Sequence, residues 1–291
     1  MAIIGRPNVG KSSLLNRLVG QKISITSPKP QTTRHRITGI FTDARGQILF
    51  VDTPGIHQGS GRDALNRQLN RTARSGFDGV DLLLWVVQAG RFTEEDAAVL
   101  RLVQDAKLPT VLLVNKVDLV TNKADLLPFL TQMQARQDFV ALYPLSARRD
   151  RGFDGLLSLI FTQLPLGEPV FSPDEVTTVT TRFMAAEIIR EKLARLLHDE
   201  LPYKTTVLIE RYAESAERVE IDGVIYVARD SQKGIVIGRA GAKLKEIGVQ
   251  ARQDLERLLQ QSVMLRLWVK VREDWADDER AVHALGYQLP E

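Results

Sequence analysis

Apolar positions set the organisation of the first half of the chain. Gln47–Val51, Asp81–Val87 and Pro109–Val114 are nearly continuous apolar runs, the pattern of strands covered on both faces. Between them lie helical patterns at Glu94–Gln104 and Asp125–Gln134. This alternation predicts a mostly parallel sheet with helices on both faces. Met1–Ile4 is a very short first strand, as in a chain with a few residues missing upstream, and Ser13–Leu18 starts a helix. The alternation stops near Leu164, where three prolines and a glycine fall within ten residues and mark a boundary.

Beyond it the pattern changes. Thr181–Leu201 reads as one amphipathic helix with Phe183, Met184, Ile188, Leu193, Leu196 and Leu197 on one side. Thr205–Tyr212 and Val219–Arg229 read as strands, with Asp222-Gly223 a turn or bulge in the second. Ser231–Ile237 reads as a short apolar turn and Ala242–Gln260 as a long helix. Met264–Val271 is a last strand, with Leu265, Leu267 and Val269 alternating against Arg266, Trp268 and Lys270. The expected division is a first domain 1–166, a linker 167–176 and a second domain 177–291.

Gly5-Arg-Pro-Asn-Val-Gly-Lys-Ser12 follows the first strand and opens a helix, the context a phosphate-binding loop requires. Gly5 and Gly10 let the backbone of Arg6, Pro7, Asn8 and Val9 wrap closely. Its N–H groups then cradle phosphate at the positive end of the helix that continues through Ser13. Lys11 can reach the β- and γ-phosphates, and the Ser12 hydroxyl can ligate Mg²⁺. Asp52-Thr53-Pro54-Gly55 follows a strand end, where a carboxylate can hold Mg²⁺ and the Gly55 N–H can meet a γ-phosphate; alone it is also an ordinary turn. Asn115-Lys116-Val-Asp118 follows another. Asp118 can accept from guanine N1–H and N2–H₂, a donor pair adenine lacks. Asn115 can brace the loop, the Lys116 stem can cover the base, and a backbone N–H of Ser146-Ala147 can reach guanine O6.

In this order the motifs resemble those of the TRAFAC-class GTPases. The resemblance implies GTP and GDP as ligands, Mg²⁺ as cofactor and a first-switch threonine that closes on the metal. Thr33 fits that position best, with Thr32 as fallback. Lys11, Thr33 and Gly55 are the expected catalytic residues, and Ser12, Thr33 and Asp52 the metal ligands. Ile56 stands where Ras-like relatives carry a water-orienting Gln. This implies slow intrinsic turnover, and Gln58–Gly61 suits a mobile second switch. Asn8 matches relatives that recruit potassium, a hypothesis that an unchanged hydrolysis rate in Na⁺ would contradict.

Gly238-Arg239-Ala240-Gly241 follows Lys233-Gly-Ile-Val-Ile237 and opens a helix carrying Lys243 and Lys245. In an α-β-β-α-α-β order this resembles a type II KH domain, whose GXXG loop clamps the backbone of single-stranded nucleic acid. The other reading is a glycine turn in a non-binding α+β domain. Ala240 carries a Cβ that can restrict the loop. An α/β P-loop GTPase domain followed by an α+β type II KH domain resembles the Era family. The resemblance extends to Trp268-Val-Lys-Val-Arg-Glu-Asp-Trp-Ala-Asp-Asp-Glu-Arg280. It implies a monomeric cytoplasmic GTPase that binds the 3′ end of 16S ribosomal RNA and assists maturation of the 30S subunit. Two alternatives stand beside it: a GTPase of another branch, acting on tRNA or the large subunit, and a non-enzymatic RNA chaperone with a vestigial nucleotide site. The helix from Arg182 leaves open a peripheral contact with the inner membrane face, or plain core packing. Arg62, Arg67, Arg71 and Arg74 are an RNA contact or a solvated helix face, and Trp268 and Trp275 stack on bases or pack.

Composition limits the field. The 291 residues include no cysteine, which excludes disulfides, thiolate metal sites and thiol nucleophiles, and the four histidines are too scattered in sequence to suggest a His-rich zinc site. No apolar run reaches the ~18 residues of a membrane span, and the N-terminus has no signal-peptide layout. The net charge of +3 divides unevenly. Residues 1–170 carry 21 Lys/Arg against 15 Asp/Glu, and residues 171–291 carry 18 against 21. Within Arg229–Lys245 five cations face only Asp230. The attraction for a polyanion is therefore local, and binding there should weaken with salt.

Overall fold

A computed structural model describes residues 1–29, 31–55, 63–149, 153–198 and 201–287. Ile56, Gln58–Gly61 and Arg62, singled out in the sequence, lie outside the described residues. The chain divides into two compact units. One comprises Met1–Ser24, Thr33–Ser60 and Leu69–Thr178; the other comprises Ile25–Thr32, Gly61–Gln68 and Val179–Glu291.

The first unit holds a six-stranded sheet in the order β2-β3-β1-β4-β5-β6. Its strands are β1 (Ala2–Ile4), β2 (Ile37–Asp43), β3 (Gly46–Asp52), β4 (Leu83–Gln88), β5 (Thr110–Asn115) and β6 (Ala141–Pro144). All neighbours pair parallel except β2 and β3. Residues of β4 up to Val87 and the whole of β5 are buried, as their continuous apolar runs predict. Helices α1 (Lys11–Val19), α2 (Ala64–Ser75, of which Leu69 onward belongs to this unit), α3 (Glu94–Ala106), α4 (Leu126–Gln134) and α5 (Asp154–Gln163) connect them. Val99 and Val103 of α3 and Met133 of α4 pack into the core around Trp85 and Leu112. α3 starts at a capping box in which Thr93 and Asp96 serve each other's backbone N–H.

Two strands lack the continuous apolar run that marks their neighbours. β2 is an edge strand in which Ile37, Gly39 and Ile40 are buried and the other residues half-covered, and β6 is short with no fully buried position. The register sets the site. β1 lies between β3 and β4, where the strand order changes direction; Asp52 ends β3 on one side of it, and Asn115 ends β5, two strands away on the other. Open α/β sheets bind ligands at such carboxyl ends. Residues 167–178, which contain the expected linker, group with this unit. Ile40 N–H donates to Val176 O at 2.9 Å and the Thr177 hydroxyl to Thr38 O at 2.7 Å.

The second unit carries α6 (Thr181–Leu196), β7 (Thr205–Glu214), β8 (Val219–Val227), α7 (Asp230–Ile237), α8 (Ala242–Leu259), β9 (Val263–Val271) and α9 (Glu279–Ala284). Its sheet runs β7-β8-β9, antiparallel then parallel. The α-β-β-α-α-β order therefore holds. Ile188 and Leu193 of α6, Ile221 and Ile225 of β8, and Ile247, Ala251 and Leu255 of α8 share one core.

Three local readings change. Ser231–Ile237 is not a turn: it belongs to helix α7, whose start is fixed by Gln232 Oε1 accepting from Ala228 N–H and Arg229 N–H. The irregularity assigned to Asp222-Gly223 lies in the partner strand. β8 runs through, and the register of β7 shifts between Ile209 and Arg211. α6 is not amphipathic in burial: besides Met184, Ile188 and Leu193 it buries Glu187, Arg190, Glu191 and Lys192. Trp275 is fully buried, its indole N–H donating to Lys204 O at 3.2 Å, whereas Trp268 is 45% exposed. Among the described residues no helix is long and apolar enough to cross a membrane.

Candidate nucleotide site and nucleic-acid clamp

The Gly5–Ser12 loop joins β1 to α1, so its position follows from the central strand. Gly10 has φ 104°, and a Cβ there would meet Asn115 Nδ2 at 2.3 Å, so only glycine fits. Asn115 ties three loops together. Its Nδ2 donates to Val9 O at 2.7 Å, and its Oδ1 accepts from Lys116 N–H at 2.8 Å and Ala147 N–H at 2.9 Å. Of the Ser146-Ala147 segment expected to offer an N–H to guanine O6, the Ala147 N–H is thus already engaged, and a base there must share it. Lys116 has φ 64°; its ammonium donates to Asn8 O at 2.5 Å and Gln88 Oε1 at 3.3 Å. Asp118 sits on the next turn, where its Oδ1 accepts from the Ser146 hydroxyl at 2.7 Å.

Lys11 is buried, and its ammonium donates to Gly5 O at 2.9 Å and Arg6 O at 3.0 Å. Burial pushes its pKa down to about 8, against the attraction of Asp52. Asp52 is 0% exposed. Its Oδ2 accepts from the Ser12 hydroxyl at 2.7 Å and the Ser24 hydroxyl at 3.2 Å, and Ser12 Oγ lies 2.7 Å from Thr33 Oγ1. The other oxygen, Oδ1, is buried with no hydrogen-bond partner. Burial pushes this carboxyl up, although Lys11 and the two hydroxyls oppose it. A hard oxygen-seeking cation fits this set. One carboxylate and neighbouring hydroxyls leave most of an octahedral shell to phosphate and water, the usual manner of Mg²⁺. Thr33 faces this cluster; Thr32 does not, its hydroxyl donating to Lys29 O at 2.7 Å.

Other named residues take different places. The Arg6 guanidinium is directed to Asp96 of α3, Nε to Oδ2 at 2.9 Å, and its Nη1 donates to Pro7 O at 3.3 Å, so the side chain braces the loop from behind. Val9 is core. The Thr53 hydroxyl donates to Ile3 O at 3.2 Å. Gly55 backs onto Pro7, and Ser13 is half-buried at the start of α1. Ser24 and Asp96 were not legible as site residues. Ser24 stands between two isoleucines with no motif, and Asp96 is recognisable only as a helix-capping acid.

In the second unit α7 ends at Gly238, with φ 71° and ψ 174°; a Cβ there would strike Lys243 Cβ at 2.7 Å. Arg239, Ala240 and Lys245 are exposed, Lys233 and Ile237 half-buried, and Lys243 pairs with Glu246 at 3.0 Å. Beside the loop runs a groove of about 390 Å³. Its walls include Gly241, Leu244, Lys245, Val249, Arg252 and Leu267. Arg252 lies seven residues after Lys245, two helical turns along the same face of α8, a periodicity that could have revealed it. Ala240 adopts φ 50°, ψ 30°, so its Cβ does bear on the loop. The left-handed conformation costs a non-glycine residue about 1–2 kcal/mol, offset by roughly 0.4–1 kcal/mol of unfolded-chain entropy. Ala240→Gly is therefore expected to leave stability unchanged or raise it by up to about 1.5 kcal/mol. A lowered urea midpoint at constant slope would contradict this.

Comparison with known proteins places these features. The family description "50S ribosome-binding GTPase" fits residues 1–116, and "KH domain" fits residues 200–276. GTPase Era of Stenotrophomonas maltophilia (strain K279a) is 50% identical over 288 residues, 99% of this chain and 96% of that protein. GTPase Era of Xanthomonas oryzae pv. oryzae (strain MAFF 311018) is 50% identical with the same coverage. Two solved structures each match with a TM-score of 0.95 and 36% identity, over 99% of this chain and 98% of theirs. One is a variant of Aquifex aeolicus Era bound to GDP·AlF4⁻; the other is Era with MgGDPNP and nucleotides 1506–1542 of 16S ribosomal RNA. With relatives of that name matched from end to end at 50% identity, and a GTPase description followed by a KH description along its length, the chain belongs to the Era family of GTPases.

Proposed function

We propose that the chain is a GTP-hydrolysing switch that binds the 3′ end of 16S ribosomal RNA and serves maturation of the 30S subunit. What carries the reading is the full-length likeness to an Era structure that holds MgGDPNP and 16S nucleotides together. Phosphates lie in the backbone cradle from Gly5 to Ser13. Lys11 neutralises the β- and γ-phosphates, and its pKa, lowered by burial, rises again beside them. Ser12, Thr33 and Asp52 hold Mg²⁺, with Ser24 keeping the Asp52 carboxylate turned towards Ser12. The ion, when bound, offsets phosphate charge in the transition state. Gly55 presents its N–H to the γ-phosphate from the segment Asp52-Thr53-Pro54. Asp118 reads the guanine edge, Asn115 and Ala147 hold the loop, and the stem of Lys116 covers the base. Asn8 recruits potassium, so replacing K⁺ by Na⁺ slows turnover.

RNA lies against Gly238-Arg239-Ala240-Gly241, with Lys233, Ile237, Lys243 and Lys245 beside the clamp and Arg252 further along the groove. The GTP-bound first switch changes how readily that groove accepts RNA. The domain limits we propose remain 1–166 and 177–291, with 167–176 as connector. The protein acts in the cytoplasm as a monomer. Of the apolar face expected of α6, Met184, Ile188, Leu193 and Leu197 are core and Phe183 and Leu196 half-buried, which favours packing over a membrane contact.

The first 116 residues carry a description naming the large subunit, which favours a second reading, a GTPase acting there. Sequencing RNA crosslinked to the full chain with a GTP analogue decides between them. Recovery of the 16S 3′ end supports the proposal; recovery of 23S RNA or tRNA in its place rejects it.

A further inference from the structure

α6 buries four charged side chains in succession around its axis. Glu187, Arg190, Glu191 and Lys192 are each no more than 4% exposed. Buried ion pairs add little net stability compared with apolar packing, so such a cluster calls for another reason. The partners of these groups are specific. Glu191 divides its two oxygens. Oε1 accepts from Thr26 N–H at 2.9 Å and from Arg195 Nη2 at 3.1 Å, and Oε2 accepts from Lys192 Nζ at 3.1 Å. Lys192 also donates to Asp254 of α8. Arg190, paired with Glu187, donates to Thr32 O, and Arg195 donates to Thr26 O at 2.9 Å. All these residues belong to the second compact unit, which includes Ile25–Thr32.

Both ends of this chain of bonds carry chemistry. Asp254 is two residues beyond Arg252 on α8, roughly 200° around the helix, and so on the side away from the groove. A rigid helix moved by a ligand in the groove carries Asp254 with it. At the other end, Thr32 is followed directly by Thr33, and Ser24 stands two residues before Thr26. Their hydroxyls belong to the cluster around Asp52.

We propose that Asp254, Lys192 and Glu191 form a buried relay that sets the position of Ile25–Thr32, so that RNA in the groove and Mg·GTP at Thr33 bias each other's binding. The three are positioning residues, not catalytic ones. The relay rests on the switch reading given above and names the residues that carry it. Coupling of this kind is reciprocal and usually amounts to about 5–150-fold in affinity.

The test uses the full chain and an RNA of the 16S 3′ end as probe. RNA affinity is measured with a GTP analogue and with GDP, and GTP affinity with and without RNA. The wild type gives a ratio of about fivefold or more in both. Asp254→Asn and Glu191→Gln each keep shape and remove charge. Each brings both ratios towards one, with RNA affinity in the nucleotide-free state and turnover without RNA retained. The double variant loses no more than either single one, because the two act as one unit. Arg257→Gln, which removes another partner of Asp254, keeps the wild-type ratio and separates the relay from general loosening of α8. Undiminished ratios in Asp254→Asn overturn the relay and leave the switch reading standing. A wild-type ratio of one overturns both. Asp254 is the outer member, with its side chain 14% exposed, so its variant carries the test if Glu191→Gln fails to fold.

Discussion

Lys11→Ala is expected to lower GTP turnover by about 10²–10³-fold or more, the scale seen when one preorganised charge-stabilising donor is removed. The Lys11 ammonium is enclosed with two loop carbonyls, Gly5 O and Arg6 O, and with the Asp52 carboxylate as counter-charge. Triphosphate in the cradle therefore meets a desolvated cation that needs little rearrangement to pair with it. In the alanine variant phosphate charge enters the same enclosed loop without that partner. Single-turnover hydrolysis checks the rate, and retained turnover would leave the RNA-chaperone alternative in place of the enzyme. A stability measurement reads the same residue. Burial holds the folded-state pKa at about 8 against an ordinary 10.5. Between those values the unfolded chain binds more protons than the folded one. The stability of the nucleotide-free wild type therefore gains from Lys11 as pH rises from about 8 to 10.5. In Lys11→Ala that contribution to the slope is absent.

Asp118→Asn is expected to exchange guanine for xanthine as the preferred base. In the proposed site the carboxylate would accept two hydrogen bonds from guanine N1–H and N2–H₂, and bonds to a charged group are worth about 1.5–3 kcal/mol each. An amide keeps one acceptor but sets its NH₂ against the guanine amino group. GTP affinity falls by roughly 10²–10⁴-fold, the equivalent of losing both bonds. Xanthine carries a carbonyl at that position, so the amide donates to it while still accepting from N1–H. The Ser146 hydroxyl at 2.7 Å can donate to the amide oxygen as it does to the carboxylate, which holds the orientation. Titration with GTP and XTP checks the exchange. Equal loss for both bases would mean that Asp118 supports the loop without reading the base.

The main features of the nucleotide site were legible because its chemistry is local. A loop that wraps phosphate needs glycines at fixed spacing, and a strand end that holds Mg²⁺ needs its carboxylate at the last position. Gly5–Ser12, Asp52 and Asn115–Asp118 therefore reveal themselves in order. Residues that act across the fold left no such trace. Ser24 reaches Asp52 from a stretch without a motif, and Asp96 holds Arg6 from 90 residues away. The same limit hid β2, where Thr38, Gly39 and Thr42 interrupt the apolar residues, and β6, which is only four residues long and partly covered. α7 was read as a turn because its eight residues offer too short a period, and a side-chain cap fixes its start.

By itself the sequence determined the two kinds of site, the change from an α/β to an α+β half and the separation of a balanced chain into one local basic edge. These follow from short-range spacing, which the backbone converts directly into geometry. The tertiary structure alone decided which threonine faces Asp52 and that Trp275 is core while Trp268 is open. It also decided that the charges of α6 are buried and joined to Thr26, Thr32 and Asp254. A periodic pattern tells which side of a helix is apolar. It cannot tell what lies against the polar side, because burial of a charge depends on partners brought from distant parts of the chain.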